Sequence, residues 1–198
     1  MRRPDGSGGP LAENERIDDI QFYIDPRGEL LIDDVILYDA AVEDEKRPFP
    51  KRVLYTGWFD TGKQGKEWPG DFENVDHEKK GTWKYAKSIM SPGGNPWINI
   101  HIRGERRVEP VVELSFRYRL KGADSIGILI NNSRKSAGVN EIVRNLKRDE
   151  WAVATVRFDL AEPFRESAGS MVDGITFNVR EKNAELHLDD VLLYVPGK

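Results

Sequence analysis

Apolar and polar residues alternate along most of this chain with a period of two. Val112, Leu114, Phe116, Tyr118 and Leu120 take every second position, with Glu113, Ser115, Arg117 and Arg119 between them. Ile98, Ile100 and Ile102 alternate with Trp97, Asn99, His101 and Arg103. A strand turns successive side chains to opposite sides, so the pattern describes sheets with one dry and one wet face, as in antiparallel pairing. It predicts short strands over 53–55, 83–89, 97–102, 111–120, 125–131, 140–146, 151–159, 172–179 and 185–194, and a Gly-rich, charged loop over 56–81. No long amphipathic helix is legible. The expected fold is all-β, an antiparallel two-sheet sandwich. Its expected interior holds Ile98, Ile100, Val112, Leu114, Phe116, Ile128, Val156, Phe158, Ile175 and Phe177.

Part of the pattern occurs twice. Arg16–Asp39 reappears as Met171–Val195: Phe22 corresponds to Phe177, Leu30 to Leu186, Ile32 to Leu188 and Asp33-Asp34-Val35 to Asp189-Asp190-Val191. One residue is gained at the turn. A period this long describes a tandem domain and not a solenoid of about 20–50-residue units. The expected organisation is a flexible lead-in over 1–15 and the C-terminal β-hairpin of an incomplete first module over 16–39. A charged linker follows over 40–51, and then a complete β-sandwich module over 52–198. An isolated hairpin is marginal in water and its open edges invite pairing, so residues 17–38 are expected to self-associate or to add to a sheet edge.

In both copies of the last strand the apolar positions slip by one. Leu188 is followed by Val191, and Ile32 by Val35, a spacing of three where a strand requires two. A β-bulge at Asp189-Asp190 restores all the apolar side chains to one face. A carboxylate displaced inward there needs a partner, either a calcium ion or backbone N–H groups with an arginine.

Composition narrows the function more by exclusion than by assignment. A formal net charge of −4 gives no reason to expect nucleic-acid binding. The chain has no cysteine, so there is no disulfide framework and no thiolate site. No run reaches the roughly 18 apolar residues of a membrane span, and no signal peptide is legible after Met1. His77, His101 and His187 lack metal-ligand spacing, and no Ser sits in a nucleophile motif. An enzyme is not expected.

Reading the alternation outward gives Trp97, Asn99 and His101 on one strand, Arg117 and Arg119 on a second, Arg157 on a third, and Thr176 and Asn178 on a fourth. Amides and an indole suit sugar hydroxyls and ring faces, and arginine forks suit the carboxylate or sulfate groups of an anionic polysaccharide. The bland alternative is that these are ordinary wet-face residues divided between two sheets. Trp58, Trp83 and Trp151 are expected mainly in packing. Trp68, in the long loop, is a candidate sugar-stacking platform.

The final strand Leu186-His187-Leu188-Asp189-Asp190-Val191-Leu192-Leu193-Tyr194, the Trp151-initiated strand before it, and the early Gly57-Trp58-Phe59-Asp60-Thr61-Gly62 together resemble jelly-roll carbohydrate-binding modules and the wider galactose-binding-like sandwiches. The resemblance implies a jelly roll, a non-catalytic glycan-binding role, and an extracellular or cell-surface setting within a longer protein. It also implies a structural calcium shared by Asp60 and Asp190. Asp60 stands where the family often carries Glu, and the insertion over 62–81 departs from the compact pattern. The rival expectation is a structural or protein-interaction spacer with no glycan site.

Overall fold

The computed structural model describes residues 22, 27–30, 32, 50–59, 68–76, 84–134, 136–160 and 171–197. The chain divides into two compact units, residues 1–35 and 36–198. Of the first unit the described residues include Phe22, Leu30 and Ile32, all exposed. The rest of the expected hairpin lies outside the described residues.

The second unit is built of β1 (Pro50–Gly57), β2 (Gly70–Asp71), β3 (Glu73–Asp76), β4 (Lys84–Lys87), β5 (Ile89–Met90), β6 (Pro96–Arg107), β7 (Val111–Lys121), β8 (Ile126–Asn132), β9 (Ala137–Val143), β10 (Trp151–Asp159), β11 (Met171–Asn178) and β12 (Glu185–Pro196). All pairings are antiparallel. The first sheet runs β10-β7-β12-β4-β3, with β1 sharing the β4 edge of β12. The second runs β2-β6-β11-β8-β9, with β5 beside β2 on the outer edge of β6. No helix occurs among the described residues.

The core lies between the sheets. Ile98, Ile100, Val112, Leu114, Phe116, Ile128, Phe158, Ile175 and Phe177 are buried as the alternation requires, and Phe116 meets Phe177 edge to face with centroids 5.1 Å apart. Val156 is only half-buried against this cluster. It sits on β10, which ends its sheet, so fewer side chains close over it. At about 25 cal/mol for each Å² of apolar surface removed from water, this interdigitated layer is the main favourable term in folding.

Three expectations about elements are corrected. The expected strand over 83–89 is two strands in different sheets. The chain crosses at Ser88, whose N–H donates to the Leu186 carbonyl (2.8 Å) while its Oγ accepts from the Leu186 N–H (3.0 Å). The loop over 56–81 contributes β2 and β3, both too short to show an alternation. The strand expected over 140–146 begins at Ala137, its register set by pairing with β8.

β11 and β12 do not pair with each other. They lie in opposite sheets, so β11 and β12 form an arch across the core and not a hairpin. The bulge is present. Asp189 and Leu192 on β12 face Arg117 and Ser115 on β7, one residue too many, and Asp190 takes up the excess at φ 48°. Leu186, Leu188, Val191 and Leu193 are thereby all buried.

Candidate functional site

Register divides the outward-facing residues between two faces. Arg117, Arg119 and Arg157 stand on the outside of the first sheet, whereas Trp97, Asn99 and His101 stand on the outside of the second. Period-two alternation separates dry from wet but carries no record of which sheet a strand joins.

The arginines on the first sheet are engaged locally. Arg117 lies 5.0 Å over the Trp151 ring and 3.9 Å from the Asp190 carboxylate. Arg119 Nε donates to the Asp149 carbonyl (3.2 Å), and Arg157 is 3.7 Å from Glu113. Beside them Tyr85 stacks on His187 with centroids 4.6 Å apart, and Trp151 meets Tyr85 edge to face at 5.6 Å. Glu185 accepts from Lys121 (2.7 Å) and pairs with Lys87 (2.9 Å) and His187 (2.8 Å). Partial burial works to raise the Glu185 pKa, but the Lys121 and Lys87 ammonium groups outweigh it and hold the carboxyl at about 2. Burial pushes the His187 imidazole below its ordinary value, partly opposed by Glu185.

The second sheet presents a more open polar surface, ordered in rows by its pairing. One row reads His101, Gly174, Asn131, Gly138 across β6, β11, β8 and β9. The next adds β2 and reads Asp71, Asn99, Thr176, Leu129, Asn140. A third reads Trp97, Asn178, Gly127, Ile142. Asn99 is held in one orientation. Its Nδ2 donates to Asp71 (2.9 Å) and approaches His101 Nε2 (2.9 Å), while its Oδ1 accepts from Thr176 Oγ1 (2.8 Å). With both Asn99 donors used, His101 Nε2 acts as acceptor and the ring proton belongs on Nδ1.

Beside this network opens a hollow of about 310 Å³, lined by Asn99, His101, Glu105, Asn131, Arg134 and Asp173 among others. Asp173 is fixed by the Ser133 N–H (2.8 Å) and hydroxyl (2.7 Å). Asn131 Oδ1 is enclosed with no hydrogen-bond partner among the described residues. Asn131, Ser133 and Asp173 were missed in the sequence, because nothing local separates them from any other outward polar residue.

Trp97 is half-buried, with its indole N–H enclosed and unpartnered among the described residues. Trp68 is not an open platform. It is half-buried against the core, its ring 5.5 Å from Phe59, and so pins its loop. At the bulge the buried carboxylate is Asp189, whose Oδ1 accepts from the Asp190 N–H (2.9 Å). Asp190 is exposed and turned to Arg117. Asp60 lies outside the described residues, and among those described no group of three acidic, His or Cys side chains could hold a metal. The described donors alone do not make a calcium site.

No protein-family model and no curated relative matches the sequence. Solved structures of similar chain course include a mutant of the family 29 carbohydrate-binding module CBM29-2, at 13% identity over 74% of this chain and 91% of that one, TM-score 0.49. A second CBM29-2 mutant, complexed with cellulohexaose, is similar at 15% identity over 73% of this chain and 92% of that one, TM-score 0.48. The Clostridium thermocellum xylanase 10B CBM22-1–GH10 modules, complexed with xylohexaose, are similar at 11% identity over 74% of this chain and 29% of theirs, TM-score 0.49. What the present chain binds is read from its own residues.

Proposed function

We propose that the chain is a non-catalytic carbohydrate-binding module whose ligand lies on the outside of the second sheet. The observation that supports this most is the Asp71–Asn99–Thr176–His101 network at the lip of the polar hollow. It holds the remaining acceptor capacity of Asn99 Oδ1 and the free side of the His101 ring in place without ordering them anew on binding. Sugar hydroxyls both donate and accept, and so match a surface of amides, carboxylates and an imidazole.

The ligand on this reading is neutral. At the hollow Asp71, Glu105 and Asp173 outnumber Arg134, so the site carries no cationic excess, while Arg117, Arg119 and Arg157, which suggested an anionic polysaccharide, stand on the other sheet with partners of their own. Binding a polysaccharide carries with it an extracellular or cell-surface setting as part of a longer protein.

Affinity electrophoresis tests this with hydroxyethylcellulose, xylan and galactomannan as neutral gels and alginate and polygalacturonate as anionic ones. Retardation by a neutral polymer is expected, weakened in Trp97→Ala and unchanged in Arg117→Ala. Retardation only by the anionic gels, lost in Arg117→Ala, would move the site to the first sheet. No retardation in any gel would leave the spacer reading. A structural calcium at the β12 bulge would be separate from the glycan site, since Asp189 and Asp190 belong to the first sheet. EDTA should then lower the melting temperature of the full chain, and an unchanged melting curve removes the metal.

A further inference from the structure

Two neighbouring strands of the second sheet carry the same five-residue pattern. β8 holds Gly127-Ile128-Leu129-Ile130-Asn131, and β11 holds Gly174-Ile175-Thr176-Phe177-Asn178. Their antiparallel register sets Gly174 opposite Asn131 and Asn178 opposite Gly127, with Thr176 opposite Leu129 midway. Each asparagine lies across the glycine of the other strand. A Cβ on Gly174 would come within 2.7 Å of Asn131 Oδ1, and one on Gly127 within 2.8 Å of Asn178 Oδ1. The middle residues of both patterns, Ile128, Ile130, Ile175 and Phe177, are fully buried, which leaves the glycines and asparagines to shape the outer face.

The arrangement has a local two-fold relation through the Thr176–Leu129 pair, and it makes two cradles. The Asn131 cradle belongs to the hollow of about 310 Å³. The Asn178 cradle belongs to a second hollow of about 80 Å³, lined by Ser125, Gly127, Asn140, Ile142, Asn178 and Arg180. Four residues of strand separate them, about 13 Å at the usual rise. A single sugar ring cannot span that distance.

We propose that the two cradles are paired sugar subsites, a larger and a smaller, and that the ligand is an extended, neutral oligosaccharide laid along β8 and β11, with one ring on each asparagine amide. This rests on the glycan-binding reading above and deepens it: the face is built for the interior of a chain, not for one terminal sugar. The glycines are required because any side chain at 127 or 174 displaces the amide that lies over it.

The test uses the full chain in gels of hydroxyethylcellulose, xylan and galactomannan, with four single variants: Asn131→Ala, Gly174→Ala, Asn178→Ala and Gly127→Ala. Each removes or shifts one amide. Loss of a hydrogen bond worth about 1 kcal/mol net predicts a weakening of roughly fivefold at either cradle. Melting curves should stay close to that of the unaltered chain, because the atoms displaced are side-chain ends on the outer face, and Asn131 Oδ1, though enclosed, has no hydrogen bond among the described residues to lose. Oligosaccharides of the retained polymer should bind more tightly with each added ring until both cradles are filled. A loss confined to the Asn131 and Gly174 variants, or a hexasaccharide that binds no tighter than a disaccharide, overturns the two-subsite arrangement and leaves one glycan site standing. Absence of retardation of the unaltered chain by all three polymers overturns the neutral-glycan reading of this face, and this inference with it.

Discussion

Replacing Glu185 by Gln separates charge from packing at the cationic end of the first sheet. The side chain keeps its size and its ability to accept from Lys121, but loses the charge that Lys87, Lys121 and His187 surround. The carboxyl is held at about 2 against an ordinary 4.5. At about 1.4 kcal/mol for each pH unit between those values, the ceiling on its contribution is roughly 3 kcal/mol. Glu185 is 29% exposed and Lys121 41%, so solvent screening reduces the figure to about 1 kcal/mol. A folded pKa below the unfolded one gives stability that is complete above 4.5 and lost as pH falls through about 2. Glu185→Gln should therefore lower the melting temperature by about 3 °C at pH 7. The gap to the unaltered chain should close between pH 4.5 and 2, and shrink in high salt. A gap of the same size at pH 7 and pH 2 would refute the electrostatic account and assign the effect to packing.

His187 adds an earlier step on acidification. Its folded pKa lies below 6.5 through burial, so the unfolded chain takes up the proton first and stability falls as pH drops from 6.5; His187→Gln should abolish that step in a denaturant titration series. The repeat predicts opposite outcomes for matched residues. Phe177→Ala should cost about 3–5 kcal/mol because the ring is fully buried against Phe116, whereas Phe22→Ala, at 53% exposure, should cost under about 0.5 kcal/mol by chemical denaturation. Phe22, Leu30 and Ile32 are exposed while their counterparts Phe177, Leu186 and Leu188 are buried, so the front segment should drive association of the full chain. Sedimentation velocity should show a dimer that dissociates on changing all three residues to Asp, and a monomeric unaltered chain would end that idea.

The dry face of each long strand was legible because burial writes it directly into the residues, as in Val112 to Leu120. The bulge was legible for the same reason: the step of three from Leu188 to Val191 has no other economical cause. β2 and β3 were not, since two and four residues carry no period, and the crossing at Ser88 depends on a hydrogen bond to Leu186, 98 residues away. The site suffered most. Asn99 and Arg117 read alike as outward polar residues, and only pairing assigns them to opposite faces. The Gly-x-x-x-Asn pattern of β8 and β11 is present in the sequence, yet it means nothing until antiparallel register lays one copy over the other.

The pairing of β1 with β12 decides how this module meets force. Its first and last strand residues, Pro50 and Pro196, are register partners, so the two ends leave side by side. Tension applied through them would pull the strands apart sideways, loading the β1–β12 hydrogen bonds one after another like a zipper instead of all together in shear. A module loaded through these two ends would yield at low load, strand by strand. The amides of the second sheet, which neither terminal strand joins, would keep their arrangement while β1 peeled away.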